Sequence, residues 1–274
     1  MEKTARETLA IIERGYYETA SGVRVDLADS VRKAVAGTAL YRPAELEALV
    51  ERMAPRDGQP TRYSVANETT QTAARRMAAA SEVGGVVVLN FASAKSPGGG
   101  FLNGAKAQEE DLCRCSALYP CLVPQTEYYE VNRALRSAIY TDHMIYSPTV
   151  PFFRETRHDL LDSPFNVAVI TSPAPNARAF RDRTAAITGE IESALKRRIG
   201  HILAVASARG HRELILGAWG CGAFRNQPRV VAALFAHWLA EPRFAGHFDA
   251  VHFPVLDRTP ELANFNAFCA HFAS

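Results

Sequence analysis

The chain has 274 residues, of which 47% are hydrophobic and 22% are charged, and its formal net charge is +2. This composition is typical of a folded domain and excludes disordered, collagen-like and coiled-coil chains. The small net charge gives no strong overall attraction to nucleic acid or to an anionic membrane, so an anionic ligand must be bound locally.

No apolar run approaches the ~18 residues that a membrane span requires, and charged residues interrupt the first 20 positions. We therefore expect a cytoplasmic protein with no membrane partner and no direct sequence-specific contact to nucleic acid. The 5 cysteines lack a paired CxxC spacing. Cys113 and Cys115 are the only candidates for metal ligands, and no second pair and no HExxH motif accompanies them. The sequence predicts free thiols, no metal and no cofactor.

Helical periodicity predicts two N-terminal helices, at residues 4–20 and 43–53, with a short strand at 23–27 between them. A cluster of turn-forming residues at 55–60 follows. We therefore divide the chain into an N-terminal helical accessory region, residues 1–60, and a main domain, residues 61–274.

Strands and helices alternate after residue 60. Strands are predicted at residues 62–66, 83–91, 144–146, 166–171, 213–218 and 250–255. Helices are predicted at residues 69–81, 108–118, 125–136, 187–208, 227–240 and 261–273. Apolar strands in this alternation predict an α/β sandwich, in which helices cover both faces of a parallel or mixed sheet.

Glycine-rich loops follow two of the most apolar predicted strands. The first contains Gly98, Gly99 and Gly100, and the second runs from Gly217 to Asn226. Ligands of open α/β sheets bind beyond the carboxyl ends of the strands, where glycine lets backbone N–H groups approach a phosphate. Neither loop has Walker A or Rossmann spacing. Each loop alone also fits a tight structural turn, whereas together they can hold a diphosphate from two sides.

Three acidic residues, Glu109, Glu110 and Asp111, open the helix after the first glycine loop. Acidic residues are common in the first turn of a helix because the macrodipole favours them. Here, however, the loop delivers them beside the expected ligand. Adjacent helical residues point ~100° apart, so Glu109 and Glu110 cannot both face one bond. One of them is therefore expected to act on the substrate and the other to support it.

The stretch from Asn90 to Glu110, with its glycine triplet followed by Gln-Glu-Glu, resembles the signature of poly(ADP-ribose) glycohydrolases, particularly the compact bacterial-type enzymes. Further matching segments are residues 152–153, 170–176 and 216–224. The resemblance implies a macro-domain-like three-layer sandwich that binds ADP-ribose, with a mixed sheet between helices and an N-terminal helical extension.

By position, the resemblance makes Glu110 the acid that protonates the leaving ribose hydroxyl, while Glu109 and Gln108 position the ribose. It assigns the remaining substrate contacts to the two glycine loops and their flanks: Asn90, Ala92, Gly98, Gly99, Gly100, Asn103, Gly220, Cys221, Gly222, Ala223 and Phe224. The implied reaction is hydrolysis of ribose–ribose bonds from the chain ends of poly(ADP-ribose). It releases ADP-ribose and needs no metal, and ADP-ribosylated proteins carry the substrate.

One residue departs from the family pattern, because Ser93 stands where relatives often have a second asparagine. A contact to the distal ribose is then lost or is made by Asn90 or Asn103. Two alternatives stay open: a module that binds ADP-ribose without cleaving it, and a hydrolase that removes single ADP-ribose units from proteins. For the N-terminal helices, the sequence does not decide between covering the substrate and padding the sheet.

Overall fold

A seven-stranded mixed sheet lies between helices in the computed structural model, which describes residues 1–81, 85–182 and 184–273. The strands of the described residues are β1 Tyr16–Glu18, β2 Arg24–Asp26, β3 Ala39–Tyr41, β4 Arg62–Ala66, β5 Val86–Phe91, β6 Met144–Arg154, β7 Leu160–Ser172, β8 Glu213–Ile215 and β9 Ala250–Pro254. The helices are α1 Glu2–Arg14, α2 Ala28–Gly37, α3 Pro43–Glu51, α4 Thr70–Ala80, α5 Gln108–Cys115, α6 Leu118–Leu122, α7 Thr126–Ala134, α8 Ala185–Ala208, α9 Pro228–Ala240 and α10 Ala263–Phe272. The expected α/β sandwich is confirmed.

The sheet has the strand order β3-β6-β7-β5-β8-β9-β4. Strands β7, β5, β8, β9 and β4 are parallel, whereas β6 and β3 join as antiparallel strands at one side. The carboxyl ends of five neighbouring strands therefore meet at one edge. Loops that follow these strands are brought together there, as in other open α/β sheets.

Strand β5 is buried on both faces. Val86 and Val88 pack into the apolar cluster on one side of the sheet, and Val87 and Leu89 pack into the cluster on the other side. Burial on both faces explains the continuous apolar run, which is typical of a central parallel strand. The first residue predicted for this strand, Val83, lies outside the described residues.

Strands β6 and β7 form a long antiparallel hairpin that the sequence predicts only in part. The predicted strands covered residues 144–146 and 166–171, whereas the hairpin extends to Arg154 and back from Leu160. Prolines at positions 148 and 151 hide β6 from pattern analysis. A register shift between Ser147 and Val150 accommodates Pro148, whereas Pro151 pairs with Asn166.

The helix predicted at residues 4–20 is wrong beyond Arg14. Gly15 ends α1 in the left-handed conformation, with φ of 79°, and the chain turns into β1. Tyr16 and Tyr17 therefore lie on a strand, and the Tyr17 hydroxyl donates a hydrogen bond to the Leu161 carbonyl over 2.6 Å. In the predicted accessory region 1–60, strand β3 pairs with β6 as the edge of the main sheet. The division of the chain at residue 60 stays a prediction.

No helix of the described residues is long and apolar enough to cross a membrane.

A fully buried arginine on α8 holds the segment between α7 and β6. Arg198 donates to the Asp142 carboxylate over 2.7 Å and to the carbonyls of Pro173, Ile139 and Tyr140 over 2.7 to 2.9 Å. Burial would raise the pKa of Asp142, but the Arg198 and Arg197 guanidiniums lower it overall. The buried ion pair is thus satisfied on both sides, and it fixes the backbone at Tyr140.

We expect Arg198→Met to lower the free energy of unfolding by about 3–5 kcal/mol, because it leaves the Asp142 carboxylate and three carbonyls without their buried donor. Arg197→Ala is the matched control. Arg197 binds the same carboxylate, but its side chain is 48% exposed, so its loss is expected to cost below about 1 kcal/mol. Urea unfolding of both variants tests this, and equal losses would contradict the assignment.

Candidate active site

A cleft of about 1300 Å³ opens at the edge where the parallel strands end. Its walls come from the loops after β5, β8 and β9 and from the first turns of α4 and α5. This volume is large enough for a nucleotide-sized ligand. The two glycine loops predicted from the sequence both border the cleft.

Gln108 fixes the start of α5 to the end of β5. Its side-chain oxygen accepts a hydrogen bond from the Phe91 N–H over 2.8 Å. Its amide group donates to the Leu89 carbonyl over 2.8 Å and to the Thr70 hydroxyl over 3.3 Å. These bonds use backbone groups that a strand end leaves free. Gln108 thereby sets the position of the two glutamates that follow it.

Glu109 lines the cleft but is almost entirely buried. One carboxylate oxygen accepts from the Ser93 N–H over 2.7 Å, and the other accepts from the Asn90 side-chain amide over 3.2 Å. Burial raises the pKa of Glu109 to about 8, and the nearby Glu110 charge adds to the increase, although the two hydrogen bonds oppose it. Asn90 also donates to the Thr171 hydroxyl over 3.1 Å, which anchors it to β7.

Glu110 lies under the glycine triplet. Its Oε1 accepts a hydrogen bond from the Gly100 N–H over 2.9 Å. Its Oε2 is buried and has no hydrogen-bond partner among the described residues. Gly99 has φ of 58°, and a Cβ at this position would overlap Oε1 of Glu110. The loop therefore needs glycine here so that its backbone can contact the carboxylate.

The second glycine loop approaches the cleft from β8. Gly220 has φ of 72°, and a Cβ there would lie 2.5 Å from both the Ala174 Cβ and the Asn226 side-chain nitrogen. Asn226 donates to the carbonyls of Pro175 and Gly220 over 2.9 and 3.0 Å, which closes the loop. Burial raises the pKa of the Cys221 thiol to about 12, which favours the neutral thiol over the reactive thiolate.

Two aromatic rings form one wall of the cleft. Phe224 and Tyr140 both line it, with ring centroids 6.2 Å apart. Tyr140 has φ of 64°, which is rare for a residue with a side chain, and Arg198 holds its carbonyl. The aromatic pair therefore depends on the buried ion pair described above.

The cleft brings together most of the site residues that the sequence predicted. Those that line it are Ala92, Gly99, Gly100, Gln108, Glu109, Glu110, Gly220, Gly222, Ala223 and Phe224. The other four, Asn90, Gly98, Asn103 and Cys221, lie outside its lining. Gly98 packs against Tyr119 and Cys113, and Asn103 is exposed on a 3₁₀ turn.

Sequence reasoning missed several cleft residues. Tyr140 lies in an irregular segment that carries no motif. The loop after β9, with Leu256, Asp257 and Arg258, also lines the cleft. Asp257 accepts hydrogen bonds from the backbone N–H groups of Thr259 and Asn264, which shapes this loop. An aspartate followed by Arg-Thr-Pro before a helix is a turn signal that could have identified it.

Asp111, Cys115 and His158 place potential metal-ligand atoms within 4.8 Å of one another beside the cleft. Two arginines adjoin this group. Arg114 lies 3.7 Å from the Asp111 carboxylate, and the charge of Arg154 acts on Cys115. Asp111 is bound instead by His158 over 2.8 Å and by Gln71. The neighbouring positive charges disfavour a cation, and we assign no metal to this group.

The cleft contains one carboxyl group with an oxygen that makes no hydrogen bond, and the backbone beside it suits a phosphate. Glu110 supplies the oxygen, and the backbone at Gly99, Gly100 and Gly220 supplies close approach. Glu109 shares the helix but binds Ser93 and Asn90 on another side. The geometry is compatible with a single general acid beside a positioning neighbour.

The family described as microbial-type PARG, catalytic domain, matches residues 5–155. Among solved structures, the chain is similar to the poly(ADP-ribose) glycohydrolase of Thermomonospora curvata, with 48% identity, a TM-score of 0.94, and coverage of 99% of this chain and 98% of that chain. The same enzyme bound to the inhibitor ADP-HPD gives 47% identity and a TM-score of 0.92 with the same coverage. The Deinococcus radiodurans poly(ADP-ribose) glycohydrolase in complex with ADP-ribose gives 45% identity, a TM-score of 0.82, and coverage of 90% of this chain and 98% of that chain.

No curated protein matches the chain. The family match covers more than half of the chain, and the similar structures cover nearly all of it. With the cleft geometry above, these matches show that the chain belongs to the family of microbial-type poly(ADP-ribose) glycohydrolases.

Proposed function

We propose that this protein hydrolyses the ribose–ribose glycosidic bonds of poly(ADP-ribose) and releases ADP-ribose from the chain ends. The observation that carries the proposal is the position of Glu110. Its Oε1 is held by the Gly100 N–H, and its buried Oε2 has no partner among the described residues. ADP-ribosylated proteins are then the carriers of the substrate, and we expect no direct sequence-specific contact to nucleic acid.

Glu110 provides the proton in the proposed reaction. Its carboxyl group protonates the bridging oxygen, the bond from that oxygen to the anomeric carbon breaks, and positive charge develops on the departing sugar. A water molecule then bonds to the anomeric carbon and gives its proton back to Glu110. A bound diphosphate stabilises the developing positive charge and favours the protonated form of a carboxyl group beside it.

The two glycine loops hold the diphosphate in this proposal. Gly99 and Gly100 contact it from the side of β5, and Gly220, Gly222 and Ala223 contact it from the side of β8. Phe224 packs on the distal ribose. Asn90, Gly98 and Cys221 act from behind the cleft wall, where they support Glu109 and the two loops. Asn103 is exposed, which favours a role in the turn over a contact to ribose.

The N-terminal segment favours action at chain ends. Met1 lines the cleft, and α1 packs against α5 and against the 3₁₀ turn Phe101–Asn103. The Thr8 hydroxyl donates to the Arg114 carbonyl over 2.8 Å, which ties α1 to the catalytic helix. A segment fixed in this way covers part of the cleft and restricts it to a terminal unit.

The first alternative is a module that binds ADP-ribose without cleaving it. Such a module gains nothing from a buried carboxylate at Glu110, whose burial costs free energy when it is charged. The second alternative, a hydrolase of single ADP-ribose units on proteins, shares the ligand and differs in the leaving group. The second alternative is distinguished from the proposed function by which substrate the protein cleaves.

We expect Glu110→Gln to lower the rate of ADP-ribose release from poly(ADP-ribose) by about 10²–10⁴-fold, because the amide cannot donate the acidic proton. Affinity for ADP-ribose, measured by calorimetry, is retained, since the amide oxygen still accepts from Gly100. Glu130→Gln, an exposed change on α7, is the control. A wild-type protein that binds ADP-ribose and releases none would contradict the proposed function.

Gly99→Ala is expected to cause a large decrease in kcat and only a small decrease in the temperature of unfolding. The new Cβ overlaps Oε1 of Glu110, and the left-handed φ of 58° is unfavourable for alanine. Gly189→Ala on α8, where no atom lies within 4 Å of the new Cβ, is the matched control. Steady-state kinetics and thermal unfolding measure both effects, and unchanged kcat in Gly99→Ala would refute the close approach.

Glu109→Gln is expected to change how stability depends on pH. The pKa of Glu109 is raised from 4.5 to about 8. Protonation of Glu109 therefore stabilises the folded state fully below pH 4.5, and this stabilisation is lost as pH rises through about 8. The neutral amide removes this loss, so the variant gains stability relative to wild type between about pH 5 and pH 8. Urea unfolding across this range tests it, with Glu192→Gln, exposed on α8, as control. Parallel pH curves for wild type and Glu109→Gln would show that Glu109 is charged throughout.

A further inference from the structure

A second cavity of about 660 Å³ adjoins the cleft; we call it the arginine groove. It lies between α4 and the turn that joins β6 to β7. Gln71 and Thr156 line both the arginine groove and the cleft, so the two cavities are neighbours. The groove is lined by four arginines and only two acidic residues, in a chain whose net charge is +2.

Three of these arginines are exposed. The side chains of Arg75 and Arg76 are 58% and 56% exposed. Arg75 pairs with Glu155, whose side chain is 45% exposed, whereas Arg76 pairs with Glu68, whose side chain is 18% exposed. Arg157 is exposed and makes no ion pair or hydrogen bond among the described residues. The fourth, Arg154, is buried against Thr8 and the His158 carbonyl and is structural. The Arg75–Glu155 pair is a surface ion pair, and such pairs are weak, so the Arg75 guanidinium can exchange it for a phosphate.

The arginine groove also has an aromatic lining. Phe165 lines it from β7 and is only partly buried. Its ring stacks on the fully buried Phe152, with centroids 5.3 Å apart and an interplanar angle of 16°. A ring that is packed on one side presents a fixed apolar surface, on which a base can stack. Positive charge beside such a surface is the chemistry that binds a chain of phosphates and bases.

Hydroxyl groups form the boundary between the two cavities. Thr156 lies 2.8 Å from the Thr69 hydroxyl and 3.2 Å from the Thr72 hydroxyl, measured between oxygens. Thr69 lines the cleft and Thr72 lines the arginine groove. A ribose-containing chain that crosses this boundary meets hydroxyl groups instead of an apolar surface.

We propose that the arginine groove binds the part of the poly(ADP-ribose) chain that continues beyond the unit held in the cleft. Arg75 and Arg157 contact a diphosphate of this part, and Phe165 stacks against an adenine. Every unit of the polymer carries one diphosphate and one adenine, which matches the combination of charge and aromatic surface in the groove. This inference rests on the proposed function, because the polymer must be the substrate.

The test is the affinity of long poly(ADP-ribose), measured on proteins that also carry Glu110→Gln so that the chain is not cut. Arg75→Gln with Arg157→Gln is expected to raise the Kd of the polymer about tenfold or more. The same double variant is expected to reduce the magnitude of the slope of log K against log salt concentration by about one to two. The Kd of ADP-ribose, which occupies the cleft alone, stays the same. Arg75→Lys with Arg157→Lys, which keeps the charges, restores part of the affinity.

The control is Arg32→Gln with Arg229→Gln, two exposed arginines that line neither cavity. If the variant with both Arg75→Gln and Arg157→Gln unfolds, the polymer Kd of the single variant Arg157→Gln decides the test. Arg157 makes no ion pair or hydrogen bond among the described residues, so its replacement removes none. An unchanged polymer Kd and salt dependence would overturn the inference. Reduced affinity for a DNA oligonucleotide with unchanged affinity for the polymer would overturn it too, in favour of a nucleic-acid surface. Wild-type release of ADP-ribose, measured separately, shows whether the proposed function itself holds.

Discussion

The close approach of the glycine loop to the first turn of α5 is the contact on which the site depends. The Gly100 N–H holds one oxygen of Glu110, and the missing Cβ of Gly99 leaves the space that this oxygen occupies. Gln108 ties the same turn to β5 through backbone groups of Leu89 and Phe91. The Glu110 carboxyl group is thus fixed relative to the sheet, which gives the proposed acid a defined position beside a substrate.

This arrangement costs stability. Two neighbouring carboxyl groups are buried, and burial raises the pKa of Glu109 to about 8. The protein offsets part of the cost with donors directed at Glu109, namely the Ser93 N–H and the Asn90 amide. Since those donors occupy Glu109, it is suited to support, whereas Glu110 keeps an oxygen for the substrate. The difference between the two glutamates therefore arises from their hydrogen bonds, not from their residue type.

Much of the framework was predictable from sequence because it depends on local patterns. The apolar run of β5 and the alternation of strands and helices led to the correct sandwich, and the glycine loops followed from their places after apolar strands. The β6–β7 hairpin was predicted only in part, because the prolines of β6 interrupt the strand pattern. The register shift in this hairpin is visible only when the partner strand is known. Tyr140 and Arg198 were missed for a similar reason. Their roles come from a buried ion pair between distant segments, which leaves no local pattern.

In the proposed mechanism, the carboxyl group of Glu110 meets the bridging oxygen of the ribose–ribose bond. A crystal structure of Glu110→Gln bound to a two-unit poly(ADP-ribose) chain would show this contact. We expect the amide at position 110 to lie about 3 Å from the bridging oxygen, with the diphosphate between the two glycine loops. A bridging oxygen that lies instead beside Asp111 or Glu109, out of reach of position 110, would contradict it.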